Sequence, residues 1–70
     1  MRYLVVVEAG PTSFGAYVPD LPRCVAAGET REEALALIRE AIELHIQEPR
    51  DGGNTVPPPS STSAVVDVAA

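Results

Sequence analysis

His45, Cys24 and ten carboxylates are the side chains of this 70-residue chain that chemistry would most readily use. A histidine can shuttle protons near neutral pH, but general acid–base work also needs a nucleophile or an orienting carboxylate within reach. His45 sits instead in the middle of an apolar helical stripe, with Glu43 and Glu48 near in sequence but on other faces. It reads as a packed histidine with one nitrogen hydrogen-bonded. Cys24 is the only cysteine, which excludes an internal disulfide and a cysteine-rich metal site. Among apolar neighbours it reads as a small core residue rather than a reactive thiol. The acidic helix side reads as a solvated surface and not a metal site. Glu40 with Arg39 and Arg31 can form weak surface pairs, each worth under about 1 kcal/mol. The sequence therefore offers no catalytic residue, metal ligand or cofactor site.

Length and charge point the same way. Seventy residues make one small domain, residues 1–70, near the size at which a single core leaves only about 3–5 kcal/mol of net stability. Such a chain profits from help by another. The formal charge is −5, the pI is near 4.5 and all five cations are arginine. Direct nucleic-acid binding is not expected, because phosphate contact requires clustered Lys or Arg. A basic protein partner suits an acidic chain, since complementary charge speeds encounter. No apolar run approaches the ~20 residues of a membrane span, and the N-terminus lacks a signal-peptide pattern. The expected location is cytoplasmic.

The elements are organised around residues 17–43, YVPDLPRCVAAGETREEALALIREAIE. Pro19 and Pro22 cannot donate backbone hydrogen bonds, so Pro19-Asp20-Leu21-Pro22 must leave one strand and re-enter another. Before this corner, residues 2–8 form a strand with Tyr3, Val5 and Val7 on one face and Leu4 and Val6 on the other. Turn residues at Gly10-Pro11 lead to a second strand over 13–18, with Phe14, Ala16 and Val18 opposed to Ser13, Gly15 and Tyr17. After the corner comes a short third strand over 23–27. Thr30 and Glu33 have the spacing of a capping box, which predicts a helix over about 31–47. Its stripe is Ala34, Leu35, Ile38, Ala41, Ile42, His45 and Ile46. Pro49 is expected to end it. A proline-rich connection over 49–62 then leads to SAVVDVAA, where Ala64, Val66 and Val68 alternate with Val65 and Asp67; this predicts a fourth strand over 64–69.

The order β-β-β-α-β predicts an α+β fold: an antiparallel meander, a helix on one face, and a fourth strand parallel to the first by a right-handed crossover. The expected strand order is 3-2-1-4. A first strand apolar on both faces belongs in the interior of a sheet covered on both sides. One helix covers only one side. The other is expected to be covered by a second subunit, most simply in a dimer, with Leu4, Val6, Leu37 and Leu44 as candidate oligomer contacts.

The segment YVPDLPRCVAAGETREEALALIREAIELHI resembles the N-terminal domain of HicB-like antitoxins. The features that carry the resemblance are Tyr-Val-Pro-Asp-Leu-Pro, a small-residue segment with cysteine, Gly-Glu-Thr, and Glu-Glu-Ala-Leu opening a helix that contains Glu-Ala-Ile-Glu. The opening strand and the proline-rich connection extend it over nearly the whole chain. Arg23 departs from the pattern, standing where the family usually has glycine. The resemblance implies a truncated ribonuclease H-like fold. It also implies a protein partner, HicA, a small basic ribonuclease toxin with a double-stranded-RNA-binding fold and an essential histidine. Many members carry a second, DNA-binding domain. This chain stops at Ala70, directly after the expected closing strand, so that domain is expected to be missing.

A ribonuclease H-like fold raises the question of nuclease activity, which requires carboxylates converging on two divalent metals. Here the first strand has Glu8 only at its end, Asp20 lies in a turn and Asp67 is alone, so a non-enzymatic role is expected. Two functions follow. One is an antitoxin that neutralises a HicA-like ribonuclease by steric masking, with Tyr17, Asp20, Leu21, Arg23, Glu40 and Glu43 as candidate partner contacts. The other is an orphan oligomeric module of the same fold that binds a small ligand or another protein.

Overall fold

β-Branched residues, two proline-braced turns and one capped helix build the molecule in chain order. A computed structural model describes residues 1–51 and 56–69, the side chains of 48–51 excepted. β1 (Val6–Ala9), β2 (Phe14–Tyr17) and β3 (Val25–Gly28) form a three-stranded antiparallel sheet in the order β1-β2-β3, and α1 (Arg31–Asp51) packs on one face. The register places Val6 opposite Tyr17 and Tyr17 opposite Val25; the neighbouring row is Val7, Ala16 and Ala26.

That register separates the two faces as the alternation requires. Tyr3, Val5, Val7, Phe14, Ala16, Val18 and Ala26 belong to the core with Ala34, Leu35, Ile38, Ala41 and Ile42 of α1. Cys24 is part of this core, and burial pushes its thiol pKa up. The opposite face carries Val6, Tyr17 and Val25 in one row, and no element of the described residues covers it. Val25 is 65% exposed there.

The helix start has a local cause. Thr30 Oγ1 accepts the Glu33 N–H at 3.0 Å, and Glu33 Oε1 accepts the N–H of Glu29 at 2.9 Å. The reciprocal bond therefore reaches one residue earlier than a standard capping box. Gly28 allows β3 to run directly into this turn, because a Cβ there would stand 2.8 Å from the Ala34 nitrogen.

Several element bounds differ from expectation. The first strand begins at Val6 and not at residue 2, because continuing the register sets Leu4 opposite Pro19, which has no N–H to donate. The third strand starts at Val25, since Arg23 belongs to the turn before it. The helix passes Pro49 and reaches Asp51. Pro49 removes the bond to the His45 carbonyl, and the helix ends two residues beyond it, so few turns depend on the lost bond. Of the expected proline-rich connection, 52–55 lie outside the described residues, as does Ala70. The expected fourth strand is not formed: residues 56–69 contain no strand, so the sheet has the 3-2-1 part of the predicted order and no strand at position four. The valines of 64–69 have no ladder partner in a single copy of the chain.

Candidate binding surface

The corner between β2 and β3 is a pair of linked turns. Leu21 N–H donates to the Val18 carbonyl at 3.1 Å, Cys24 N–H to the Leu21 carbonyl at 3.2 Å, and Val18 N–H to the Cys24 carbonyl at 3.1 Å. Pro19 and Pro22 occupy the second position of each turn, where their fixed φ fits. Arg23 takes the third position of the second turn with φ 67°, the left-handed region. A type II turn demands this conformation, and glycine adopts it without strain. The arginine is held there by its neighbours, exposed at the tip of the corner.

Asp20 gathers the strongest polar cluster. Its Oδ2 accepts the N–H groups of Ser60 and Ser61, both at 2.9 Å; its Oδ1 accepts the Ser61 hydroxyl at 2.6 Å and the Ser60 hydroxyl at 3.1 Å. The Ser61 hydroxyl, followed by the two N–H groups, holds the Asp20 carboxyl far below the usual carboxylate range. Close by in chain order, the Tyr3 hydroxyl donates to the Pro57 carbonyl at 2.6 Å. These bonds clasp residues 57–61 to the end of the sheet where the corner lies. Composition gave no signal for this pairing, since 40 residues separate Asp20 from Ser60.

The candidate contacts fall in different places. Tyr17 lies on the uncovered sheet face and Arg23 at the corner tip, so the structure brings these two to the same end. Leu21 is 1% exposed and supports the corner from beneath. Asp20 is engaged by the serines. Glu40 and Glu43 are on α1, in the other layer, with Glu43 3.5 Å from Arg39. Among the candidate oligomer contacts, Val6 belongs to the uncovered sheet face, Leu4 precedes β1 and lies near residues 59–63, and Leu37 and Leu44 stand exposed on the flank of α1. No single patch contains all four.

Sequence reasoning did not single out a groove between the residues leading into β1 and the helix. It is lined by Tyr3, Val5, Leu35, Ile38, Ile42 and Ile46, with Met1, Arg39 and Glu43 at its rim. The inner-face alternation of the first strand and the helical stripe together contain its apolar lining. His45 is half-buried on α1. Among the described residues no three His, Cys, Asp or Glu side chains gather as a metal site would require, and no helix is long and apolar enough to cross a membrane.

A family model described as HicB_like antitoxin of bacterial toxin-antitoxin system matches residues 3–69. Antitoxin HicB 2 of Photorhabdus laumondii is 35% identical over 71 residues, covering 100% of this chain and 51% of that protein. A UPF0150 protein of Helicobacter pylori is 46% identical over 41 residues, 59% of this chain and 57% of the relative. A second UPF0150 protein, from Thermoplasma acidophilum, is 33% identical over 58 residues, 81% of this chain and 84% of the relative. The chain spans about half the length of the antitoxin it matches. No solved structure matches it. With its proline-braced corner, its capped helix and a family match over almost its whole length, the chain belongs to the HicB-like antitoxin family.

Proposed function

We propose that this chain is an antitoxin that binds a HicA-like ribonuclease and silences it by covering the surface that holds RNA, without itself cutting RNA or binding DNA. The family membership supports the antitoxin role, and the uncovered apolar row Val6–Tyr17–Val25 is the observation that supports a protein partner. An exposed apolar patch rimmed by polar residues is a usual mark of a protein interface. Tyr17 supplies an aromatic anchor of the kind that dominates binding energy, with Arg23 beside it at the corner. The net charge of −5 draws in a basic partner and speeds encounter. Glu40 and Glu43 offer a second, weaker contact for toxin cations on the helix layer. An interface burying about 1,200–2,000 Å² in total is sufficient to mask a small enzyme. The unit that does this is a homo-oligomer, most simply a dimer, with a truncated ribonuclease H-like fold completed by a fourth strand, located in the cytoplasm.

Co-expression with the small basic protein encoded beside it, followed by co-purification and an RNA-cleavage assay, tests the reading. Stoichiometric capture and loss of cleavage are expected, and Tyr17→Ala should weaken both. A partner that neither binds nor is inhibited would sink the antitoxin reading and leave the orphan module in its place.

A further inference from the structure

The clasp at Asp20 sets residues 59–63 against Arg2, Tyr3 and Leu4 at the start of the first strand, and beyond it the chain leaves the body of the molecule. Val65 is 98%, Val66 74% and Val68 83% exposed. The molecule is 49 Å long, although a 21-residue helix accounts for only about 31 Å of that. Its radius of gyration is 14.0 Å, against about 11 Å for a compact chain of this length. A projecting arm of alternating β-branched residues is a strand without a sheet.

The sheet, in turn, lacks a strand. β1 is an edge, with one row of backbone N–H and C=O groups unpaired among the described residues. Next to the start of that edge lies an apolar groove between Tyr3 and Val5, which lead into β1, and Leu35, Ile38, Ile42 and Ile46 of α1. No residue of β2 or β3 lines it, so it opens where a further strand would add. The arm has the reach: residues 63–69 extend over about 23 Å, more than the four-residue edge Val6–Ala9, which spans about 13 Å. It also matches in pattern. Ala64, Val66 and Val68 would point into the groove, while Val65 and Asp67 face outward.

We propose that residues 63–69 add as a strand to the free β1 edge of a second copy of this chain, each copy donating its arm to the other. A second copy is the occupant that satisfies both halves of the observation at once. Each molecule carries one arm without a sheet and, at β1, an edge bordered by an apolar groove, so a two-fold exchange covers both arms and both β1 edges. A foreign strand would cover the edge and leave the valines in water. The Asp20 clasp holds the base of the arm in place. This assembly is independent of whether the partner is a toxin.

The test uses the full chain in sedimentation equilibrium at micromolar concentration. The wild type is expected to be a dimer, and Val66→Asp a monomer with dissociation raised at least tenfold and the helical signal of the far-UV circular dichroism retained, because Val66 is 74% exposed and supports nothing within its own copy. A monomeric wild type, or a Val66→Asp dimer as tight as the wild type, overturns the proposal. To separate exchange from closure of the arm on its own sheet, Leu4→Cys and Val65→Cys chains, each in a Cys24→Ala background, are mixed and treated with a short bismaleimide. Cross-linking between the two singly substituted chains supports exchange. A link formed only within a chain carrying both substitutions refutes it.

Discussion

Replacing Arg23 with glycine should make the protein more stable, although it removes an entire side chain. At φ 67° a residue with a Cβ sits in the left-handed region at a cost of about 1–2 kcal/mol. Glycine avoids that cost but loses more freedom on folding, by about 0.5–1 kcal/mol. Arg23 is exposed and pairs with no carboxylate among the described residues, so little else is lost. The net gain is about 0.5–1 kcal/mol, which for a domain of this size raises Tm by about 2–8 °C. Thermal melts followed by circular dichroism provide the measurement, with Arg23→Ala as the control that keeps the backbone penalty. Arg23→Ala is expected to stay within about 0.5 kcal/mol of the wild type. A destabilised Arg23→Gly, or an alanine variant as stable as the glycine one, would refute the argument from backbone strain.

Three further substitutions examine the other devices. Gly28→Ala forces a Cβ to within 2.8 Å of the Ala34 nitrogen and should cost about 1–3 kcal/mol, read by chemical denaturation. Thr30→Ala removes the acceptor for the Glu33 N–H and should cost about 1 kcal/mol by the same measurement, while Thr30→Ser restores most of it. The Asp20 carboxyl is depressed below its ordinary 3.8, so its clasp contributes fully above that pH and is lost as pH falls toward the lower folded value. Trimming of the arm by pepsin, normalised to an unfolded substrate, should therefore rise as pH is lowered below 3.8, and Asp20→Asn should lose most of that pH dependence. An arm equally sensitive at every pH in both proteins would show that the clasp does not hold it.

What the residues disclosed depended on how local the cause was. The two faces of the first strand follow from alternation alone, and Tyr3, Val5 and Val7 do pack against the core. Pro19 and Pro22 mark the corner, and Thr30 with Glu33 marks the helix start, because each acts over a few residues. The clasp between Asp20 and Ser60 was not legible, since a carboxylate and a serine 40 residues apart have no spacing that announces them. Nor was the left-handed conformation of Arg23, where the residue type argues against the geometry that its turn imposes. Residues 64–69 alternate as a strand would, but a strand also needs an edge within reach. Pattern alone does not say which copy of the chain supplies that edge.

The clasp also bears on the order in which the molecule assembles. β1 meets β2 and β2 meets β3 across short turns, and β3 passes into α1 through Glu29 and Thr30 alone. Contacts of this kind close small loops and form early. Joining Ser60 to Asp20 closes a loop of 40 residues, and each doubling of loop length adds about 0.6 kcal/mol of entropy. The meander and helix are therefore expected to be in place before the arm is fastened. Refolding followed at the helix and at the arm should show two rates, the arm slower; a single shared rate would contradict this order.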